Sequence, residues 1–192
     1  MSFSIIQLKD ILGDDKVCES IQNLFACPLN DDVELFLRDK AIEFEKMDLS
    51  RTYFVFTKYK GVNTLVGYYS LAIKDISLVT GVSCRVRKSI SGNRGRKQCA
   101  GFLIGQLGKN YKDDIDKANL ITGRQLIRLA LDSILDAYKV VGGRAIIVEC
   151  KDIYYLKRFY EELGFEQVDK DHTDGLLRYF LNIEALISEE QK

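Results

Sequence analysis

Apolar positions four and three apart mark an amphipathic helix in the first quarter of the chain. They are Val33, Leu37, Ala41 and Phe44, with charged residues between them and the cap-type run Leu29-Asn30-Asp31-Asp32 ahead of them. A shorter apolar segment, Phe3 to Leu8, comes first. Tyr53-Phe-Val-Phe-Thr-Lys-Tyr59 is aromatic and β-branched, as strands prefer. Lys60-Gly61-Val62-Asn63 predicts a turn into a second strand, Thr64 to Ile73, and so a hairpin. Phe102 to Leu107 is an apolar strand. Thr122 with Gln125 three residues on is a capping box. The helix it opens has apolar Leu126, Ile127, Leu129, Ala130, Leu131, Ile134, Leu135 and Tyr138. Its polar stripe is Gln125, Arg128, Asp132, Asp136 and Lys139. Gly142-Gly143 stops it, and Arg144 to Cys150 is the next strand. Asp152 is predicted to cap a helix from Ile153 to Leu163 that Gly164 ends. Phe165 to Val168 and Leu176 to Leu181 close the pattern as two strands.

The strand–helix–strand unit across residues 102–150 predicts a right-handed parallel crossover, which places those two strands side by side. The expected fold is therefore α/β (α+β): a mixed, mostly antiparallel sheet with one parallel pair and helices on both faces. No Pro/Gly/Ser-rich linker or internal repeat interrupts residues 1–192, so one domain is expected. Apolar residues at 46% and charged residues at 29% suit an ordinary globular core.

Charge alters the picture locally. The formal net charge is zero, so no global field draws the chain to nucleic acid or membrane. Yet residues 76–112 contain no acidic residue and eight basic ones, six of them in one run: Arg85, Arg87, Lys88, Arg94, Arg96 and Lys97. Gly92 and Gly95 make this run read as a loop, either merely solvated or a contact for RNA or cofactor phosphates. The five cysteines form no CxxC pair and His172 is the only histidine, so no metal site is expected. Met1 to Leu12 lacks the pattern of a signal peptide, and no apolar run approaches the roughly 18 residues of a membrane span. Free thiols in the cytoplasm, away from membranes, are the expectation.

Two places could carry chemistry. A helix start has unpaired amides and a partial positive charge, so Thr122, Gly123 and Arg124, with Lys112 and Lys117 just before them, could hold a phosphate. The same residues equally describe a capped core helix. Tyr160, in Leu156-Lys-Arg-Phe159-Tyr160-Glu-Glu-Leu-Gly164-Phe165, could donate a proton to a leaving thiolate, or simply pack.

Phe159-Tyr160-Glu-Glu-Leu-Gly164-Phe165 and Leu103-Ile-Gly-Gln-Leu107-Gly108 resemble the late helix and central strand of the GNAT N-acetyltransferase superfamily. The likeness spans about residues 24–182. Phe25-Ala-Cys-Pro-Leu29, Phe36 to Ala41 and Gly67-Tyr-Tyr-Ser-Leu71 are similar to the branch containing acetyltransferase toxins of bacterial toxin–antitoxin pairs, which act on aminoacyl-tRNA. The resemblance implies acetyl-CoA as co-substrate, a primary amine as acceptor, tRNA contact through Arg85–Lys97, and an antitoxin partner. It leaves oligomeric state open. It implies that the backbone of Leu107, Gly108 and Lys109 binds the pantetheine arm. The amides of Thr122, Gly123, Arg124 and Gln125 would hold the pyrophosphate, and Tyr160 would be the general acid. Ala118 and Ile121 stand where the family's phosphate loop has Gln/Arg and Gly, and the loop from Asn110 to Gly123 is about four residues longer. That departure leaves a degenerate, non-catalytic GNAT domain as the alternative. With no glutamate on the central strand, a water chain or Glu149 would serve as base.

Overall fold

The computed structural model describes residues 2–78, 82–112, 114–170 and 175–190. The described residues form seven strands: β1 (Ser4–Gln7), β2 (Arg51–Tyr59), β3 (Val62–Ser77), β4 (Gln98–Lys109), β5 (Ala145–Cys150), β6 (Glu166–Lys170) and β7 (Leu177–Asn182). They make one sheet in the order β1-β2-β3-β4-β5-β7-β6. β1–β2, β2–β3, β5–β7 and β6–β7 are antiparallel, whereas β4 and β5 are parallel neighbours as the crossover predicts. The helices are α1 (Leu8–Ile11), α2 (Asp15–Asn23), α3 (Asp31–Leu35), α4 (Ala41–Lys46), α5 (Cys84–Ser91), α6 (Asp114–Ala118), α7 (Gly123–Val141), α8 (Tyr154–Glu161) and α9 (Ile183–Glu190). None of them is long and apolar enough to cross a membrane.

The chain divides into two compact units, residues 1–72 with 105–133, and residues 73–104 with 134–192. In the first, Leu8, Cys18, Phe25, Val33, Leu37, Phe54 and Tyr68 belong to one buried cluster. The β2–β3 hairpin turns on Lys60 and Gly61, whose φ values of 49° and 82° are the left-handed pair that a two-residue turn requires. β3 therefore starts two residues before the predicted Thr64. A π-helical turn, Phe36–Lys40, joins α3 to α4 and shifts the helical phase. As a result Phe44 is only half-buried, while Glu45 is 2% exposed and accepts the Thr52 amide at 2.8 Å. Sequence periodicity missed α2, although Asp14 caps it by accepting from the Val17 amide at 3.1 Å.

In the second unit, Ile76, Leu78, Val82, Ile90, Ala145, Ile147 and Phe180 form the core cluster. The basic run is not the loop that its glycines suggested. Its first part is α5, capped by Ser83, whose hydroxyl accepts from the Val86 amide at 3.2 Å, and closed by Gly92 at φ 76°. Ile90, 1% exposed, anchors the helix. A second expectation also fails: Asp152 does not cap α8. Ile153 occupies that position without a side-chain bond, and the Asp152 carboxylate instead accepts from Lys157 at 2.9 Å and Lys170 at 3.4 Å.

Candidate active site

The β4–β5 ladder pairs Phe102 with Ile146, Leu103 with Ile147 and Ile104 with Val148. Among the described residues these three pairs make up the parallel ladder, while β4 itself continues to Lys109 and β5 to Cys150. Beyond the ladder, Leu107 and Lys109 are half-buried and Gly108 is buried. Gly108 has no room for a side chain, because a Cβ there would run into Val33 Cγ1 and approach Phe25. Tyr68 packs edge-on to Phe25, with ring centres 5.0 Å apart, and donates its hydroxyl to the Val33 carbonyl.

Asn110 follows at once and is 1% exposed. Its side-chain Nδ2 donates to the carbonyls of Leu24 (2.7 Å) and Leu65 (2.9 Å). Its Oδ1 accepts from the amides of Ala26 (3.1 Å) and Lys112 (3.0 Å). An asparagine side chain has two donors and two acceptor sites, and here all four are used.

The start of α7 carries the predicted capping box. The Thr122 amide donates to Gln125 Oε1 at 2.8 Å, and the Gln125 amide donates to Thr122 Oγ1 at 3.1 Å. Two of the four amides assigned to the pyrophosphate are thus engaged within the helix, while Gly123 has no such bond among the described residues. The longer loop contains α6. Leu120 and Ile121, 4% and 2% exposed, turn inward, which explains an apolar side chain at 121. Lys109 Nζ lies 3.3 Å from Asn119 Oδ1 and 5.4 Å from the centre of the Tyr111 ring. Lys112 Nζ donates to the Asn23 carbonyl at 2.6 Å.

Tyr160 sits in an aromatic box in the second unit. Its ring centre is 5.2 Å from that of Phe159, 5.6 Å from Phe165 and 6.1 Å from Tyr179. The residue is 8% exposed, and its hydroxyl has no hydrogen bond among the described residues. Nor is that hydroxyl one of the fully enclosed, unpartnered polar atoms. The ring is therefore held by three aromatic neighbours. Burial pushes its pKa up, so it keeps its proton at neutral pH. Tyr179 donates to Glu161 Oε1 at 3.1 Å and Gln167 Oε1 at 3.3 Å.

Glu149 is not free to act as a base: both its oxygens accept from Lys74 Nζ at 2.6 Å. α5 and Arg94 line a groove of about 620 Å³ with Arg85, Lys88 and Arg144 around it and Glu166 as its acid. Arg144 pairs with Glu184, whereas Arg85, Lys88, Arg94, Arg96 and Lys97 make no ion pair among the described residues. His172, the only histidine, lies outside the described residues.

No family model and no curated protein matches the sequence. Solved structures do match. A tyrosine-to-phenylalanine mutant of KacT is 20% identical with a TM-score of 0.70, over 98% of this chain and 99% of that one. AtaT complexed with acetyl-methionyl-tRNAfMet is 18% identical with a TM-score of 0.70, over 97% and 98%. AtaTR bound with acetyl-CoA is 17% identical with a TM-score of 0.63, over 97% and 96%. The chain has the fold of KacT and AtaT.

Proposed function

We propose that the chain transfers an acetyl group from acetyl-CoA to a primary amine by direct attack, the amine of an aminoacyl-tRNA being the leading acceptor. The observation that carries this reading is the ladder ending at Ile104–Val148 while β4 runs on to Lys109. It occurs in a fold matched almost end to end by AtaT complexed with acetyl-methionyl-tRNAfMet. The main chain of Leu107, Gly108 and Lys109 takes the pantetheine arm as an added strand. The Gly123 and Arg124 amides at the start of α7 face the pyrophosphate, with Lys109 as a nearby cation.

The neutral amine nitrogen attacks the thioester carbonyl carbon, and a backbone amide of the β4 end steadies the oxyanion. The C–S bond breaks, Tyr160 gives its proton to the departing thiolate, and the amine's extra proton leaves to water. With Glu149 held by Lys74, no side chain is required as base when the amine arrives uncharged. The cations of α5 and its following turn contact the tRNA backbone. This reading places the chain in the cytoplasm, where acetyl-CoA and charged tRNA are found. By analogy with AtaT bound to the C-terminus of the antitoxin AtaR, an antitoxin is its regulatory partner.

A second reading, an acyl-CoA-binding domain without catalysis, draws on the two α7 amides used by the capping box. One experiment separates the two. Acetyl-CoA at 100 times its dissociation constant should add about 2.7 kcal/mol of stability. Charged tRNA should then release CoA thiol while deacylated tRNA does not. Stabilisation without thiol release leaves the binding module, and neither effect overturns both readings. Charge reversal at Arg85, Lys88 and Arg94 together should raise KM for charged tRNA and leave acetyl-CoA affinity unchanged.

A further inference from the structure

Asn110 uses every hydrogen-bonding position of its side chain on main-chain groups, and it does so inside the protein. Its four bonds join three stretches distant in sequence: Leu24 to Ala26, Leu65 on β3, and Lys112 after β4. Two main-chain bonds run beside them, from the Asn110 amide to the Val66 carbonyl at 2.9 Å and from the Tyr111 amide to the Ala26 carbonyl at 2.8 Å. The residue just before is Lys109, and Gly108 is wedged against Val33 and Phe25. The last residues of β4 thus have little freedom once Asn110 is fixed. A buried, fully satisfied polar side chain specifies one arrangement of its partners, because any shift leaves a donor or acceptor unpaired.

We propose that Asn110 is a positioning residue that sets the main chain of Leu107–Lys109 for the acyl-carrying arm of acetyl-CoA. It touches neither substrate nor the reacting atoms. It acts by holding the strand end to the Leu24–Ala26 segment and to β3. The inference rests on the acetyl-CoA reading above and extends it to a residue outside the motifs that suggested it.

The test compares two ligands by calorimetry on the full chain: acetyl-CoA, and adenosine 3′,5′-bisphosphate, which lacks the arm. Asn110→Asp keeps size and both acceptor contacts but turns a carboxylate toward the Leu24 and Leu65 carbonyls. Asn110→Ser shortens the side chain and loses most of the contacts. Glu45→Gln is the control, since Glu45 is a second buried hub of the same unit, bonded to Thr52 and Gln7 and paired with Arg51. Displacement of a substrate-positioning group by about 1 Å can cost on the order of 10²-fold. The folded Asn110 variants should therefore bind acetyl-CoA at least about tenfold more weakly. They should bind the bisphosphate as the wild type does, and Glu45→Gln should bind both normally. Equal losses for the two ligands, no loss, or the same loss in Glu45→Gln would overturn the proposal.

Wild-type protein supplies a measurement that does not depend on a variant folding. Acetyl-CoA should slow hydrogen exchange at the Ala26 and Lys112 amides and the bisphosphate should not. Exchange that both ligands leave unchanged sinks the proposal. Wild type that binds no acetyl-CoA at all removes the underlying functional reading instead.

Discussion

A Cβ placed on Gly67 would stand 2.8 Å from the carbonyl oxygen of Gly108. The approach is backbone to side chain, so no rotamer change relieves it, and Leu126 closes the other side at 3.2 Å. This accounts for the glycine in Gly67-Tyr-Tyr-Ser-Leu71, the most specific stretch of the sequence resemblance. The two tyrosines that follow are both fully buried, Tyr68 toward Val33 and Tyr69 hydrogen-bonded to Ser133 at 2.7 Å.

Gly67→Ala should therefore destabilise the protein by about 1–3 kcal/mol, the usual cost of overpacking. At this chain length each kcal/mol moves Tm by roughly 2–4 °C. Gly13→Ala is the control, since nothing lies within 4 Å of a Cβ there and its φ is not positive. Thermal unfolding that shows the same Tm for both variants would contradict the packing described.

The buried tyrosines predict an alkaline limit. Burial pushes the Tyr69 and Tyr179 hydroxyls from an ordinary pKa of 10.0 up to about 12, and Tyr68 goes well above its ordinary value for the same reason. An unfolded chain sheds these protons near pH 10, whereas the fold keeps them. Between those pH values the folded state binds more protons, so stability falls as pH rises. It is fully present below pH 10 and declines toward pH 12, each tenfold difference in proton affinity being worth about 1.4 kcal/mol. Urea midpoints should be level from pH 8 to about 9.5 and drop by pH 11, and Tyr69→Phe should soften the drop. A level midpoint through pH 11 would refute it.

Gly123→Asp separates the two readings of the α7 start. A carboxylate in the first turn favours the helix through its dipole, so the fold should hold. The same charge repels a phosphate at the Gly123 and Arg124 amides. Acetyl-CoA affinity should fall at least about tenfold with circular dichroism unchanged. Unaltered affinity would place the pyrophosphate elsewhere.

Much of this architecture was legible in the sequence because local signals agreed with one another. The Thr122–Gln125 box and the 102–150 crossover appear where their residues predict, and the turn predicted over Lys60 to Asn63 narrows to Lys60-Gly61. Three features escaped for physical reasons. A π-helical turn breaks the 3.6-residue period, so the pattern points to Phe44 as core where Glu45 is buried. α5 was hidden because its cationic face outweighed the Ser83 cap and the Val86–Ile90 stripe. Glu149 looked available because its partner, Lys74, is 75 residues away. The chemistry of Asn110 was likewise invisible, since three of its four side-chain bonds reach back 45 to 86 residues.

Glu149→Gln tests the base question directly. The Lys74–Glu149 side chains are 35% and 14% exposed, so losing the charge pair should cost about 1 kcal/mol, solvent-screened on the lysine side. The pH profile of kcat/KM should keep its shape and kcat should stay within about threefold, because a base removed would cost 10²-fold or more. Loss of the acidic limb of that profile would restore Glu149 as the base.

Tyr160→Phe is the decisive substitution. The ring is clamped by Phe159, Phe165 and Tyr179, so phenylalanine fills the same space and leaves the box intact. The hydroxyl has no protein partner among the described residues whose loss would cost stability, and Tm should move by less than a few degrees. A proton given to a leaving thiolate matters only in the transition state, so kcat should fall by about 10²–10⁴-fold while acetyl-CoA affinity is retained. The raised pKa keeps the acid form present to pH 10 and beyond, so wild-type activity should show no loss from this group below that pH. The packing alternative makes the opposite forecast on the same readings. If the variant keeps more than about half the wild-type kcat with chemistry rate-limiting, Tyr160 only fills its box, and the proton comes from another group or from water.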